Sequence, residues 1–163
     1  MIVLLKSNFN MKELIDAARN GDCSKIEELL ASGFNINESD EKGYTPLIIA
    51  TYNNRYEAAK ILINADADIN AQDFGGNSAL MGVCFKGYEE IAKLLIKSGA
   101  IVNLRHGNGG TALMFATMFG RNELVKLLLR NGADVTIEDT RGMMAIDHAG
   151  LQKNVEAIEL LSA

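Results

Sequence analysis

The chain has few of the residues that carry cross-links or chemistry. Its 163 residues include no Trp, one Pro, two Cys and two His. No apolar run approaches the roughly 18 residues that a membrane span needs. The apolar start at residues 1–5 is too short for a secretory signal, which needs at least ~15 residues and a cleavage site. We therefore expect a folded, cytoplasmic protein that does not enter a membrane.

Motifs for catalysis and metal binding are also missing. No Cys-x-x-Cys, His-x-x-x-His, phosphate-cradling Gly-Lys-Ser/Thr or nucleophile-elbow string occurs. The glycine-rich string at residues 107–110 precedes a predicted helix, but no strand of a parallel sheet comes before it, which favours a structural turn. We predict no catalytic residue, no cofactor and no metal. An enzyme or metal protein using His106, Asp73 or Cys84 is the less favoured alternative.

What the chain has instead is a repeat with a period of thirty-three residues. A glycine marks each unit and opens a string of similar residues: Gly43-Tyr-Thr-Pro-Leu-Ile-Ile-Ala50, Gly76-Asn-Ser-Ala-Leu-Met-Gly-Val83, Gly109-Gly-Thr-Ala-Leu-Met-Phe-Ala116 and Gly142-Met-Met-Ala-Ile-Asp-His-Ala149. The preceding units close with an apolar residue and a polar one: Ile36-Asn37, Ile69-Asn70, Val102-Asn103 and Val135-Thr136. A repeat of this length indicates a stacked array of small units.

This pattern resembles the ankyrin repeat over residues 10–163. Only Pro46 fills the family's proline position, and its signature His is replaced by Ile48, Met81, Met114 and Asp147. The resemblance implies an all-α solenoid of stacked helix-turn-helix units joined by hairpin-like loops, in a single domain over 1–163. The units are 10–42, 43–75, 76–108, 109–141 and 142–163, and the first and last are caps.

Local signals place two helices in each unit. Pro46 suits a first helical position, and the first helix of the second unit is predicted over about 46–52. The predicted N-caps of the first helices are Thr45, Ser78 and Thr111. The second helices carry an apolar stripe that should form the core between repeats: Ile91, Leu94, Leu95, Leu124, Leu127 and Leu128. Hairpin-like fingers are expected near 34–43, 67–76, 100–109 and 133–142.

Helix ends are also marked in the sequence. Left-handed stops are expected at Gly33, Gly99 and Gly132, and less comfortably at Asp66. At the N-terminus, Asn10 with Glu13 has the spacing of a capping box, and Phe9 with Leu14 that of a hydrophobic staple. These spacings predict that the first helix begins before the repeat register would place it.

The cysteines and aspartates are given structural roles by the repeat register. Cys23 and Cys84 lie two units apart, roughly 20 Å if helices pack at ~10 Å, so a disulfide between them is excluded. Two unpaired thiols indicate a reducing compartment. A calcium site of Asp66, Asp68 and Asp73 is an alternative, but related aspartates recur at the same repeat positions. Hydrogen bonding within the hairpins is therefore the better interpretation.

The resemblance also implies where a partner binds, because ankyrin arrays use the finger tips and the exposed edge of the first helices, a concave strip. Half of the ten Tyr and Phe residues fall there, and interface centres are enriched in aromatic residues, Met and Arg. The predicted partner-binding residues are Tyr44, Tyr52, Phe74, Phe85, Lys86, Arg105, Met118, Phe119 and Arg141. The alternative that Phe85 and Phe119 simply pack against each other and the adjacent hairpins stays open.

Charge refines the expected partner. The chain has a net charge of −5, but its strip carries more basic than acidic residues: Arg19, Lys42, Lys86, Arg105 and Arg141 against Glu41 and Glu138. A protein with an acidic, partly apolar surface fits this strip, and nucleic acid fits an acidic domain poorly.

We predict a monomeric, non-catalytic interaction module in an inhibitor, immunity or adaptor role. A structural unit that self-assembles through apolar ends, at 143–151 or 2–5, is the alternative.

Overall fold

The computed structural model describes residues 12–163. Within this range the chain is helical, and an isolated bridge between Gln72 and Ser78 is its only β pairing. The helices come in pairs along the chain: α1 (12–20) with α2 (Cys23–Ala31), α3 (Pro46–Tyr52) with α4 (Tyr56–Asn64), α5 (Ala79–Lys86) with α6 (Glu89–Lys97), α7 (Ala112–Met118) with α8 (Asn122–Arg130), and α9 (Ala145–Leu151) with α10 (Val155–Ser162).

The pairs stack in one direction to give two layers. Successive first helices contact one another from α3 through α5 and α7 to α9, and successive second helices do so from α2 through α4, α6 and α8 to α10. This is the predicted all-α array of helix pairs. The proposed capping box and hydrophobic staple depend on Asn10 and Phe9, which lie outside the described residues.

A continuous apolar core runs between the two layers. Equivalent leucines of successive repeats are at most 2% exposed: Leu47, Leu80 and Leu113 in the first helices, and Leu62, Leu95 and Leu128 in the second helices. The prediction that Leu94 and Leu127 share this core is confirmed only in part, because both pack against the core but are partly buried. Each lies about 100° around its helix from the buried leucine that follows it.

The predicted N-caps are confirmed in two of three helices. The hydroxyl oxygens of Thr45 and Ser78 each accept a hydrogen bond at 3.3 Å from a backbone N–H of the first turn. Thr111 makes no such bond. Its backbone is more extended, with φ −116° against −78° at Thr45. The helix stops are as expected, including Asp66, a non-glycine residue with φ 64°.

Hairpin-like loops join the pairs, and aspartates hold their turns as the sequence predicts. Oδ1 of Asp73 accepts hydrogen bonds from the backbone N–H groups of Gly75 and Asn77, both at 2.8 Å. Asp40 and Asp139 make the same two bonds at the same repeat position. These carboxylates are engaged by their own loops, which supports the hairpin interpretation over a calcium site.

Hydrogen bonds also join each repeat to the next. The side-chain oxygens of Asn37, Asn70 and Asn103 accept from backbone N–H groups of the following repeat at 2.7–2.9 Å. Neighbouring loops are linked through their backbones, for example from the N–H of Phe74 to the carbonyl of Lys42 at 3.1 Å. The loops of successive repeats are therefore joined through both side chains and backbone.

Candidate functional site

Three aromatic residues form a continuous row on the exposed end of the first-helix layer. The rings of Tyr52 and Phe85 are stacked with centroids 6.3 Å apart, and Phe85 meets Phe119 edge to face at 4.5 Å. Tyr52 and Phe119 are each 42% exposed. We call Tyr52, Phe85 and Phe119 the aromatic ladder. The rings pack against one another, as the alternative interpretation expects, and still present an apolar surface; the partner-binding interpretation stays a prediction.

Lys86 lies beside this ladder. Its Nζ is 4.9 Å from the centroid of the Tyr52 ring, a cation–π distance. Among residues 12–163, no carboxylate lies within ion-pair distance of this ammonium group. The Tyr52 ring therefore orients a positive charge that has no carboxylate partner in this part of the chain.

Phe74 and Tyr44 extend the aromatic surface towards the loops. Phe74 is 78% exposed at a loop tip, whereas Tyr44 is partly buried against the core. The chain passes close to itself here, since a Cβ on Gly43 would lie 2.8 Å from the backbone nitrogen of Phe74. Gly43 also has φ 82°, so glycine is needed for two reasons at the point where the loops meet.

Arg105 and Arg141 have structural contacts that sequence reasoning did not foresee. The guanidinium of Arg105 donates to the backbone carbonyls of Gly109 at 3.2 Å and Glu138 at 2.6 Å, which joins two loops. Arg141 contacts the carboxylate of Asp139 at 3.3 Å within its own loop. Met118 occupies the repeat position of Phe85 but is only partly exposed, and Phe119 supplies the ring of its repeat.

A groove of about 540 Å³ opens between the loops and the ladder. Its lining is mostly apolar and includes four aromatic rings, with Arg19 at its edge: Tyr44, Ile48, Ile49, Tyr52, Met81, Gly82, Phe85 and Phe115. Its volume lies within the roughly 300–1,000 Å³ of ligand-binding pockets. Three of the predicted residues, Tyr44, Tyr52 and Phe85, therefore line one concave feature.

Gly82 lines this groove and presents no side chain to it. Its repeat position holds Asp16, Ile49, Phe115 and His148 in the other units, so among the three central units the side chain is missing only at Gly82. A glycine inside a helix costs about 1 kcal/mol relative to Ala. Sequence reasoning missed this residue, although a glycine in the middle of an otherwise bulky repeat position was a visible signal. We call the feature the Gly82 groove.

Comparison with known proteins agrees with this architecture. The family model described as "Ankyrin repeats (3 copies)" matches residues 14–106 and again residues 80–163. The chain belongs to the ankyrin-repeat family. The curated protein "Ankyrin repeat and SOCS box protein 3" of Homo sapiens is 37% identical over 51 residues, which are 31% of this chain and 10% of that protein. The match thus spans a small part of that relative's length.

Ankyrin repeats are generally protein–protein interaction modules, and the family is typically non-catalytic. Within residues 12–163, none of the helices has the length and apolarity that a membrane-spanning segment requires.

The residues named for the enzyme alternative lie in two different settings. Cys84 is fully buried, and its burial raises the pKa of the thiol, which keeps it protonated and unreactive. The sequence register predicts His106 and Asp73 to be dispersed, yet both approach Gly75, since adjacent loops touch there. Across residues 12–163, no cluster of three or more His, Cys, Asp or Glu side chains could hold a metal ion.

A buried polar pair that joins the fourth and last repeats also escaped sequence reasoning. Nε2 of His148 lies 3.1 Å from Oδ2 of Asp139, and both residues are less than 9% exposed. Burial acts to raise the pKa of Asp139, but hydrogen bonds from the backbone of Met143 and Arg141 and from His148 lower it to about 2. The pair links α9 to the loop that precedes it and forms a structural contact at this end of the array.

Proposed function

We propose that this ankyrin array binds a protein partner through its concave face and acts without catalysis, as an inhibitor, an immunity protein or an adaptor. The observation that carries the proposal is the aromatic ladder beside the Gly82 groove. Large aromatic side chains bury much area with little loss of conformational entropy, and they dominate binding energy in protein interfaces. A scaffold alone does not need three such rings on its exposed edge.

The partner is proposed to have an acidic, partly apolar surface. Lys86 carries a positive charge beside the ladder, and Arg19 lies at the edge of the groove. Long-range attraction between these charges and an acidic partner would speed association more than it would tighten the complex. The proposed state is a cytoplasmic monomer that binds neither nucleic acid nor membranes.

The proposed contact surface keeps the residues singled out in the sequence, with roles that differ: Tyr44, Tyr52, Phe74, Phe85, Lys86, Arg105, Met118, Phe119 and Arg141. The ladder and Tyr44 supply apolar area, and Lys86 supplies charge. Arg105 and Arg141 serve first to hold the loops that carry the rim of the surface. Their substitution would therefore act on binding partly through loop geometry.

The test begins with affinity capture from the native cell and mass spectrometry to identify a partner. Binding of that partner by Phe85→Ala is then compared with Lys93→Ala, which removes a solvated ion pair with Glu90 on the second-helix layer. Loss of the central ring should weaken binding by about 2 kcal/mol or more, roughly thirtyfold. Thermal unfolding must first show that both variants fold. Equal affinities would exclude the ladder as the anchor.

A structural, self-assembling role remains the second candidate because the last repeat exposes apolar side chains. Leu151 is 67% exposed and Val155 is 66% exposed. The other apolar end named in the sequence, residues 2–5, lies outside the described residues. Sedimentation of the purified chain distinguishes the two functions, since self-assembly through Leu151 requires association that Leu151→Ser abolishes. A monomer at all concentrations supports the interaction module.

A further inference from the structure

The Gly82 groove has the character of a socket for a side chain. Its apolar walls come from two neighbouring first helices, α3 and α5, and from Phe115 of α7. The position that Ile49 and Phe115 fill in their own repeats carries no side chain at Gly82, and the Tyr52 ring lies next to it. A side chain of similar size, supplied from outside the chain, would restore the packing pattern of the adjacent repeats.

The polar groups of the groove are mostly occupied within the protein. Both carboxylate oxygens of Asp73 accept hydrogen bonds from Asn77, and the hydroxyl oxygen of Ser78 caps α5. The side-chain amide of Asn53 donates to the carbonyl of Ile49 at 2.8 Å. Tyr44 and Tyr52, which each carry a hydroxyl group, also line the groove, but most of its lining is apolar, so shape and apolar contact are the main means of recognition.

The charges at the groove favour one kind of neighbour for the bound side chain. Lys86 is held over the Tyr52 ring without a carboxylate partner in the described chain, whereas Arg19, which lines the groove, is paired with Asp16. The one carboxylate that lines the groove, that of Asp73, accepts hydrogen bonds from backbone N–H groups of its own loop. An acidic group beside the inserted side chain would therefore meet a positive charge and no repulsion.

We infer that the Gly82 groove receives a bulky apolar side chain, aromatic or leucine-like, from a partner segment that carries a carboxylate next to it, opposite Lys86. The inference rests on the proposed function and specifies the chemistry of the partner's contact segment. Gly82 is then the residue that determines specificity, since a bulky side chain at this position would fill the socket.

The test uses the full-length ¹⁵N-labelled protein and three blocked tripeptides, Asp-Trp-Asp, Asn-Trp-Asn and Asp-Ser-Asp. Titration of Asp-Trp-Asp should shift the backbone amide signals of Gly82, Met81 and Phe85. The serine peptide should bind at least tenfold more weakly because it lacks the apolar side chain. The uncharged Asn-Trp-Asn should bind about threefold more weakly, as expected for one exposed ion pair. That difference should disappear in Lys86→Gln.

Two glycine variants provide the matched comparison. Gly82→Leu should weaken binding of Asp-Trp-Asp at least tenfold by filling the groove. Gly150→Leu should bind like the native chain, because a Cβ added at this position of α9 would meet no heavy atom within 4 Å. Should Gly82→Leu fail to fold, Gly82→Ala serves instead. Its Cβ meets Cδ2 of Tyr52 at 3.3 Å, and it should weaken binding about twofold or more.

The outcomes separate this inference from the proposed function. Unshifted groove signals, or equal binding by Gly82→Leu, would refute the socket, while the Phe85→Ala comparison with a captured partner would still stand. Signals that move on dilution of the native chain alone would identify a second copy as the occupant and also refute it. If the peptide binds in the groove but a captured partner binds Phe85→Ala as tightly as the native chain, the socket inference stands and the proposed partner site is wrong.

Discussion

Truncation of Leu128 tests whether the stability of the array is local. Leu128 is fully buried in α8, which packs against α6, α7 and α10. Leu128→Ala removes the equivalent of about three methylene groups at ~0.8 kcal/mol each, and the remaining cavity raises the expected loss to roughly 2–5 kcal/mol. For a chain of this size, that loss corresponds to a melting temperature lower by roughly 5–15 °C.

The assay is hydrogen exchange followed residue by residue, with Leu127→Ala as the control in the same helix. Leu127 is only partly buried, so its truncation should cost clearly less. Because contacts run between neighbouring repeats, lost protection in Leu128→Ala should concentrate in α7 to α10 and leave α2 to α4 nearly unchanged. A uniform loss along the array, or equal effects of the two variants, would refute the reasoning.

Three further measurements follow from the structure. Asp139→Asn should destabilise the protein relative to the native chain at pH 5. This difference in stability should narrow as the pH falls from about 4 to about 2, because the native carboxylate has a pKa near 2 against an ordinary 3.8. Urea midpoints of both proteins across this pH range test the direction of the change. A thiol reagent at pH 8 should modify Cys23 in the folded protein and reach Cys84 only after denaturation, as its burial and raised pKa require. Gly43→Ala should cost at least about 1 kcal/mol more than Gly33→Ala, because both have positive φ but only the first meets a neighbouring backbone.

The repeat register predicted the fold because its signals act locally. The first helix of the second unit is observed at Pro46–Tyr52 as predicted, since a Thr cap and a Pro fix its start within two residues. Asp40, Asp73 and Asp139 hold their turns through bonds that span two and four residues. Such contacts depend on neighbours in sequence, which the repeat aligns for every unit.

Features that depend on side chains from different repeats were harder to predict. Helical spacing placed Leu94 and Leu127 on the apolar face, but it does not distinguish the centre of that face from its edge. Arg105 was assigned to a partner, and the carbonyls it binds lie four and thirty-three residues away. The Gly82 groove includes a position without a side chain, whose effect depends on the rings that surround it in three dimensions.

The links between repeats determine how the array should respond to force. Each Asn side chain at the end of a repeat bonds a backbone N–H 31 residues further along the chain. When the two ends are pulled apart, the same force acts on each of these links between repeats. The repeats should therefore unfold one after another, beginning with the terminal ones. Each unfolded unit would lengthen the chain by up to about 110 Å of extended backbone, so the molecule should extend in discrete steps under force.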